Sequence, residues 1–225
     1  QWSRVYEYPF VIAQIVKYAN SGTNKLKLLD AGSGVSFAPY YLAEKLEDID
    51  IECCDYDDML IEIFGSVNKL KDSNVKFFLR KPFDLKDPDN TYDIIYCISV
   101  LEHTDNYTGI VDEFNRILKP GGILILTFDI SIDGSADIPI AKAEKLLNKL
   151  ETTFKNYHSE GSLNIAKELD NEDLLLTTRY IKESNRSLLP WKYPHLMWLK
   201  TLSKGKIPRS FFRNLACYCG VFEKK

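Results

Sequence analysis

The chain lacks any apolar run near the ~18 residues that a membrane-spanning helix requires. It also lacks a signal-peptide pattern. Both absences predict a protein of the cytoplasm that makes no membrane contact. Positive charge is not in surplus either: 29 Lys and Arg stand against 32 Asp and Glu, a net charge of −3. That balance leaves no electrostatic footprint for nucleic acid. The local cluster of Lys200, Lys204, Lys206, Arg209 and Arg213 reads as a solvated face. No C-x-x-C pair occurs among Cys53, Cys54, Cys97, Cys217 and Cys219, and all five lie in strand-like apolar runs. They read as buried thiols of a reducing compartment rather than a disulfide framework. Cys217 and Cys219 would share one strand face, but no histidine or third cysteine accompanies them in sequence. Asp129 and Asp133 alone are too little for a carboxylate site, so no metal is expected. The first residue is Gln1 rather than methionine, so residues upstream are expected.

What the chain does have is alternation. With 45% hydrophobic and 27% charged residues, 225 positions suffice for one domain with a sizeable core. Residues 1–22 carry an aromatic lead-in, and Pro9 is expected to open a helix to about Ala19, stopped by Ser21-Gly22. Strands are predicted at 26–30, 49–54, 75–80, 93–98 and 123–128. Helices are predicted from Phe37, capped by Ser36, to about Leu46, through Phe64 after the second strand, and from Asn106 to Leu118. Strands alternating with helices imply βαβ units and a parallel sheet with both faces covered. Beyond Asp129 a helix is expected at 139–155, an inserted cap at 160–213, and a closing strand at 215–223.

One stretch organises the rest. Leu28-Leu29-Asp30-Ala31-Gly32-Ser33-Gly34 is a buried strand that delivers an acid and a glycine-bearing turn to a helix N-terminus. Ligands bind open α/β sheets at such points, because backbone N–H groups face outward and glycines admit close approach. No Gly-Lys-Ser/Thr follows, which excludes a P-loop. A dinucleotide turn would carry a third glycine where Phe37 stands. Asp55, 21 residues after Gly34, ends the second strand, where a carboxylate can accept both ribose hydroxyls. The competing role, a helix N-cap, is open to Asp57 or Asp58 as well.

Five motifs now stand in order: Asp30-x-Gly32-x-Gly34, Asp55, Tyr92-Asp93-Ile94-Ile95, Val100-Leu101-Glu102-His103 and Leu118-Lys119-Pro120-Gly121-Gly122. Together, over residues 26–128, they resemble a class I S-adenosylmethionine-dependent methyltransferase. The resemblance implies a Rossmann-like α/β sheet of seven strands, the last antiparallel, with helices on both faces. It implies S-adenosyl-L-methionine as cofactor. Asp30, Gly32, Ser33 and Gly34 would hold its methionine half, Asp55 its ribose, with Tyr56 beside the adenine. Phe83 and Asp84 resemble the segment that reads the adenine amino group, and Cys97 and Ile98 the strand end whose backbone meets the cofactor. Lys119-Pro120-Gly121-Gly122 would be a structural turn.

The sulfonium methyl carries the difficult chemistry, so the protein must position a nucleophile and exclude water. An alcohol acceptor must also lose a proton, and a histidine suits that task. His103, at the ligand edge after the fourth strand, is the expected base, though a histidine at this place can instead shape the pocket. Tyr6, Tyr8, Trp191 and His195 are expected to close over a small-molecule acceptor, while His158 has no supporting context. Basic and aromatic cap residues would suit a phosphorylated or sugar-type precursor. Two other functions compete: a catalytically silent binding protein of this fold, and an NAD-dependent oxidoreductase, against which Phe37 argues.

Overall fold

The computed structural model describes residues 2–22, 25–71, 73, 75–134, 138–157, 176–189, 198–199, 202–203 and 214–225. Its centre is a sheet in the order β3-β2-β1-β4-β5-β9-β7. The strands on this path are β1 (Leu26–Ala31), β2 (Ile49–Asp55), β3 (Lys76–Leu79), β4 (Tyr92–Ile98), β5 (Leu118–Ser131), β7 (Phe154–Asn156) and β9 (Leu215–Lys224). Two short strands, β6 (Ile138–Pro139) and β8 (Leu176–Thr177), pair with β5 and β9 off this path. Strands β1 to β5 pair in parallel, whereas β9 runs antiparallel between β5 and β7. The seven-stranded path with its last strand reversed is the sheet that the resemblance implied.

Period-two alternation divides the core. Leu28, Ile94, Ile123 and Ile125 face one cluster, with Val11, Ile15, Leu42, Leu60 and Phe64. Leu29, Ile95, Leu124 and Leu126 face the other, with Val111, Phe114, Leu146 and Leu150. Adjacent strand residues point to opposite faces, so near-continuous apolar strands require helices on both sides. The first layer is α1 (Arg4–Ala19), α2 (Ala38–Lys45) and α3 (Met59–Lys71). The second is α4 (Tyr107–Ile117) and α5 (Ile140–Thr153).

Several boundaries differ from expectation for physical reasons. Pro9 lies inside α1 rather than opening it, and the helix begins at Arg4. The extra turn is tied down by tertiary bonds: Trp2 to Asp129, Arg4 to the Ile98 carbonyl, and Glu7 to Ser99 and Thr127. Helix α3 runs past Gly65 to Lys71, not stopping at Phe64. An interior glycine costs a helix only about 1 kcal/mol, and the Asn68 amide anchors the following turn by donating to the Val75 carbonyl. Strand β5 starts at Leu118, because the Lys119–Gly122 turn is a bulge in its pairing with β4 rather than a break. Of the expected cap, β8, α6 (Thr178–Asn185) and a 3-10 turn at Arg186–Leu188 are described; Trp191, His195 and His158 lie outside the described residues. No helix among the described residues is long and apolar enough to cross a membrane.

Candidate functional site

The carboxyl ends of β1, β2 and β4 open into a cleft of about 530 Å³. Among the described residues, other depressions lie at the amino ends of β1 and β2 and between α2 and α3. The first lies on the edge opposite the glycine turn, so neither brings the chemistry-bearing residues together. The cleft does. Gly32, Gly34, Asp55, Tyr56, Phe83, Ser99 and His103 all line it.

Its floor is the turn after β1. The N–H groups of Gly32 and Ser33 donate to the Cys54 carbonyl at 2.8 and 3.0 Å, which pins the turn to β2. Gly32 has φ +77°, and a Cβ there would meet Val100 Cγ2 at 2.5 Å. Gly34 has φ +50° with open space where a side chain would be, so the backbone is bare toward the cleft. The Ser36 hydroxyl accepts from the Ala38 N–H at 3.1 Å and caps α2 one residue before the observed boundary.

Asp55 closes one wall. Its Oδ1 accepts the N–H groups of Tyr56 and Asp57, and its Oδ2 that of Gly34 at 3.0 Å. Three of about four lone-pair positions are thereby filled, with Oδ2 retaining one. The capping role at α3 belongs to Asp57, which accepts from the Met59 N–H at 3.0 Å. Tyr56 is 75% exposed at the rim. Phe83 also lines the cleft, with Pro82 and Lys81.

Asp30 ends β1 almost fully buried. Burial pushes its carboxyl up to about 7, the Tyr96 phenol and the Arg4 guanidinium pull it partly back, and Asp55 adds to the rise. The Ser33 hydroxyl is buried without a hydrogen-bond partner beside this turn.

Not every expected residue faces the cleft. Asp84 does not line it; the side chain is half exposed and ion-paired with Lys86 at 2.7 Å. The Cys97 side chain is fully buried in the core, where burial and the charges of Glu102 and Asp30 push its thiol up. Ile98 contributes its carbonyl, which accepts from Arg4 at 3.0 Å. The Tyr8 ring packs against Phe37 in a tilted contact, centroids 4.8 Å apart, beside the helix that follows the glycine turn. Tyr6 packs with Trp2, Ile181 and Leu189 instead, on the β5–β9 side. Cys217 and Cys219 do share a face, Sγ to Sγ 3.9 Å, and among the described residues no group of three metal-ligating side chains forms.

The sequence reading missed Arg4, Glu7 and Ser99. Glu7 lies on the same stripe of α1 as Val11 and Ile15, and an acid on an apolar stripe was the available signal.

A methyltransferase-domain family model matches residues 29–126, the span of the turn, the ribose acid and the strand-four motif. This match supports a class I S-adenosylmethionine-dependent methyltransferase over that span. Among relatives, a ubiquinone biosynthesis O-methyltransferase of Rickettsia akari is 27% identical over 119 residues, covering 52% of this chain and 46% of that protein. The chain thus spans about half the length of this relative. A phosphoethanolamine N-methyltransferase of Haemonchus contortus, solved with S-adenosylhomocysteine, superposes with a TM-score of 0.55 at 16% identity, over 95% of this chain and 52% of that one. The [4+2]-cyclase SpnF superposes with 0.60 at 18% identity, over 94% and 80%.

S-adenosylmethionine is the cofactor of this family, and the turn fits its amino-acid tail. A buried hydroxyl without a partner, a buried carboxyl and bare glycine backbone match a zwitterion's donors and acceptors.

Proposed function

We propose that this protein transfers the methyl group of S-adenosylmethionine to an oxygen or nitrogen of a small polar metabolite. The carrying observation is convergence. The glycine turn, the Asp55 carboxylate, Ser99 and His103 face one cleft, although they come from three different strand ends. When bound, the cofactor supplies a methyl on a cationic sulfur and leaves as S-adenosylhomocysteine. In this reading, Asp30, Ser33 and the backbone of Gly32 and Gly34 orient the methionine end. Asp55 holds the ribose through its remaining lone pair, and Tyr56 and Phe83 flank the adenine. His103 is the base that receives the acceptor's proton; it is exposed at the end of a 3-10 turn (Leu101–His103), where it can exchange that proton with water.

The basic and aromatic residues in the sequence of the expected cap, 160–213, favour a phosphorylated or sugar-type acceptor, and the five free thiols favour the cytoplasm as the site of action. The phosphoethanolamine and ubiquinone enzymes show that neighbours of this fold methylate both nitrogen and oxygen. SpnF carries the fold under the name of a cyclase, which keeps a binding or non-methylating role as the second reading.

Calorimetric titration tests the proposal first. S-adenosylhomocysteine should bind and NAD should not. Turnover of methyl-labelled cofactor across small alcohols, amines and phosphorylated sugars then separates an enzyme from a silent binder. No affinity for S-adenosylhomocysteine would end the reading.

A further inference from the structure

The loop between β3 and β4 brings Lys81, Pro82 and Phe83 to the cleft. Little in the loop itself fixes its shape. Residues 80–91 belong to no helix or strand, and Lys86 takes a left-handed backbone with φ +63°, which a residue bearing a side chain keeps only when its surroundings hold it there.

The surroundings are α4. Glu113 Oε1 accepts the Leu85 N–H at 3.0 Å. Arg116, one turn further on, grips Glu113 with two edges of its guanidinium, Nε to Oε2 at 2.9 Å and Nη2 to Oε1 at 2.8 Å. Its Nη1 donates to the Asp87 carbonyl and to Asp89 Oδ1, each at 2.7 Å. The Asn90 N–H returns to the Arg116 carbonyl at 3.0 Å. The Arg116 hydrogen bonds hold the Glu113 carboxyl below its ordinary range, so the pair is ionised at neutral pH. At the start of the loop, the Arg80 N–H donates to the Asp55 carbonyl at 2.9 Å and the Arg80 guanidinium to Asp87 Oδ2 at 2.7 Å. Leu85, two residues after Phe83, is buried in the same core cluster as Val111 and Phe114 of α4. Neither Glu113 nor Arg116 lines the cleft.

We infer that Glu113 and Arg116 are positioning residues for the adenine half of the cleft: they touch no ligand and set its affinity by fixing the loop that presents Phe83. The physical basis is preorganisation. An aromatic wall on a loose loop must be ordered as the ligand binds, and the lost conformational freedom is subtracted from the affinity. A bidentate guanidinium–carboxylate fork that also holds Leu85, Asp87 and Asp89 removes that loss beforehand. Lysine keeps the charge but not the fork. The inference rests on the methyltransferase reading and adds what sets its adenine affinity.

The test uses two ligands on the full chain: S-adenosylhomocysteine, and S-ribosylhomocysteine, which carries a hydroxyl in place of the adenine. Displacement calorimetry gives both affinities, and their ratio isolates the adenine. Arg116→Lys should weaken S-adenosylhomocysteine by about tenfold, the scale of one charge-assisted hydrogen bond, and leave S-ribosylhomocysteine within twofold. Glu113→Gln should shift the ratio the same way and serves where Arg116→Lys fails to fold. In a Phe83→Ala background, either change should weaken S-adenosylhomocysteine by less than twofold more, because the clamp acts through that ring. Equal losses for both ligands, no loss for either, or full additivity with Phe83→Ala overturns the inference. So does a parent that binds the two ligands alike. Failure of S-adenosylhomocysteine itself to bind would remove the methyltransferase reading instead.

Discussion

The two halves of the sheet's carboxyl edge are built differently. On the β1–β2 side, the cleft is made of backbone: a turn with two left-handed glycines, its N–H groups tied to Cys54 and Asp55. On the β4–β5 side the edge is held by side chains that do not line the cleft: Glu7 and Arg4 from α1 reach the Ser99 hydroxyl and the Ile98 carbonyl, and Asp129 from β5 accepts from Trp2. Backbone recognises what all cofactors of one kind share and tolerates little change. Side chains can be exchanged without refolding the sheet, so the second half is the more readily varied of the two.

The comparison breaks most sharply at His103, where the halves meet. Its change to alanine should lower kcat by about 10²–10⁴-fold, the usual worth of a general base, with S-adenosylhomocysteine affinity unchanged. Single-turnover kinetics and calorimetry together check this; a rate within a few-fold of the parent would make His103 a pocket wall. Next in size is Gly32→Ala. The new Cβ meets Val100 at 2.5 Å in a backbone conformation that alanine resists, and affinity for S-adenosylhomocysteine should fall about 100-fold. Adding Val100→Ala should recover only part, because the steric clash is relieved and the φ strain is not.

Asp55→Ala should follow, at about 10–100-fold in the same titration, since it removes a charged acceptor and leaves three N–H groups to water. A smaller effect concerns pH. The Asp30 carboxyl, raised to about 7, stabilises the fold fully below its ordinary value near 3.8 and loses that contribution as pH rises through about 7. Cofactor binding runs the other way. The ligand's ammonium favours the ionised carboxylate, so affinity for S-adenosylhomocysteine should rise by up to about tenfold per unit as pH approaches 7, then level off. Asp30→Asn should flatten that slope. At the low end, Lys142→Ala removes an ion pair to a fully exposed Asp105, and binding on either half should not change measurably.

The legible part of this protein was its local part. The glycine turn, the acid 21 residues on and the strand–helix alternation are all written within short windows, so both the sheet and the cofactor half could be read. Reading failed where a distant contact outweighed local preference. Pro9 looked like a helix start, yet bonds from Trp2, Arg4 and Glu7 to β4 and β5 carry the helix a turn earlier.

By itself, then, the sequence settled the layered sheet, the place of the glycine turn and the resemblance to a methyltransferase, because period-two strands and turn residues act over a few positions. The fold alone decided what surrounds Ser99. Glu7 meets Ser99 across 92 residues and Thr127 across 120, and Trp2 meets Asp129 across 127. Partners so far apart are chosen by packing of α1 across the strand ends, and no local pattern in the chain encodes that choice.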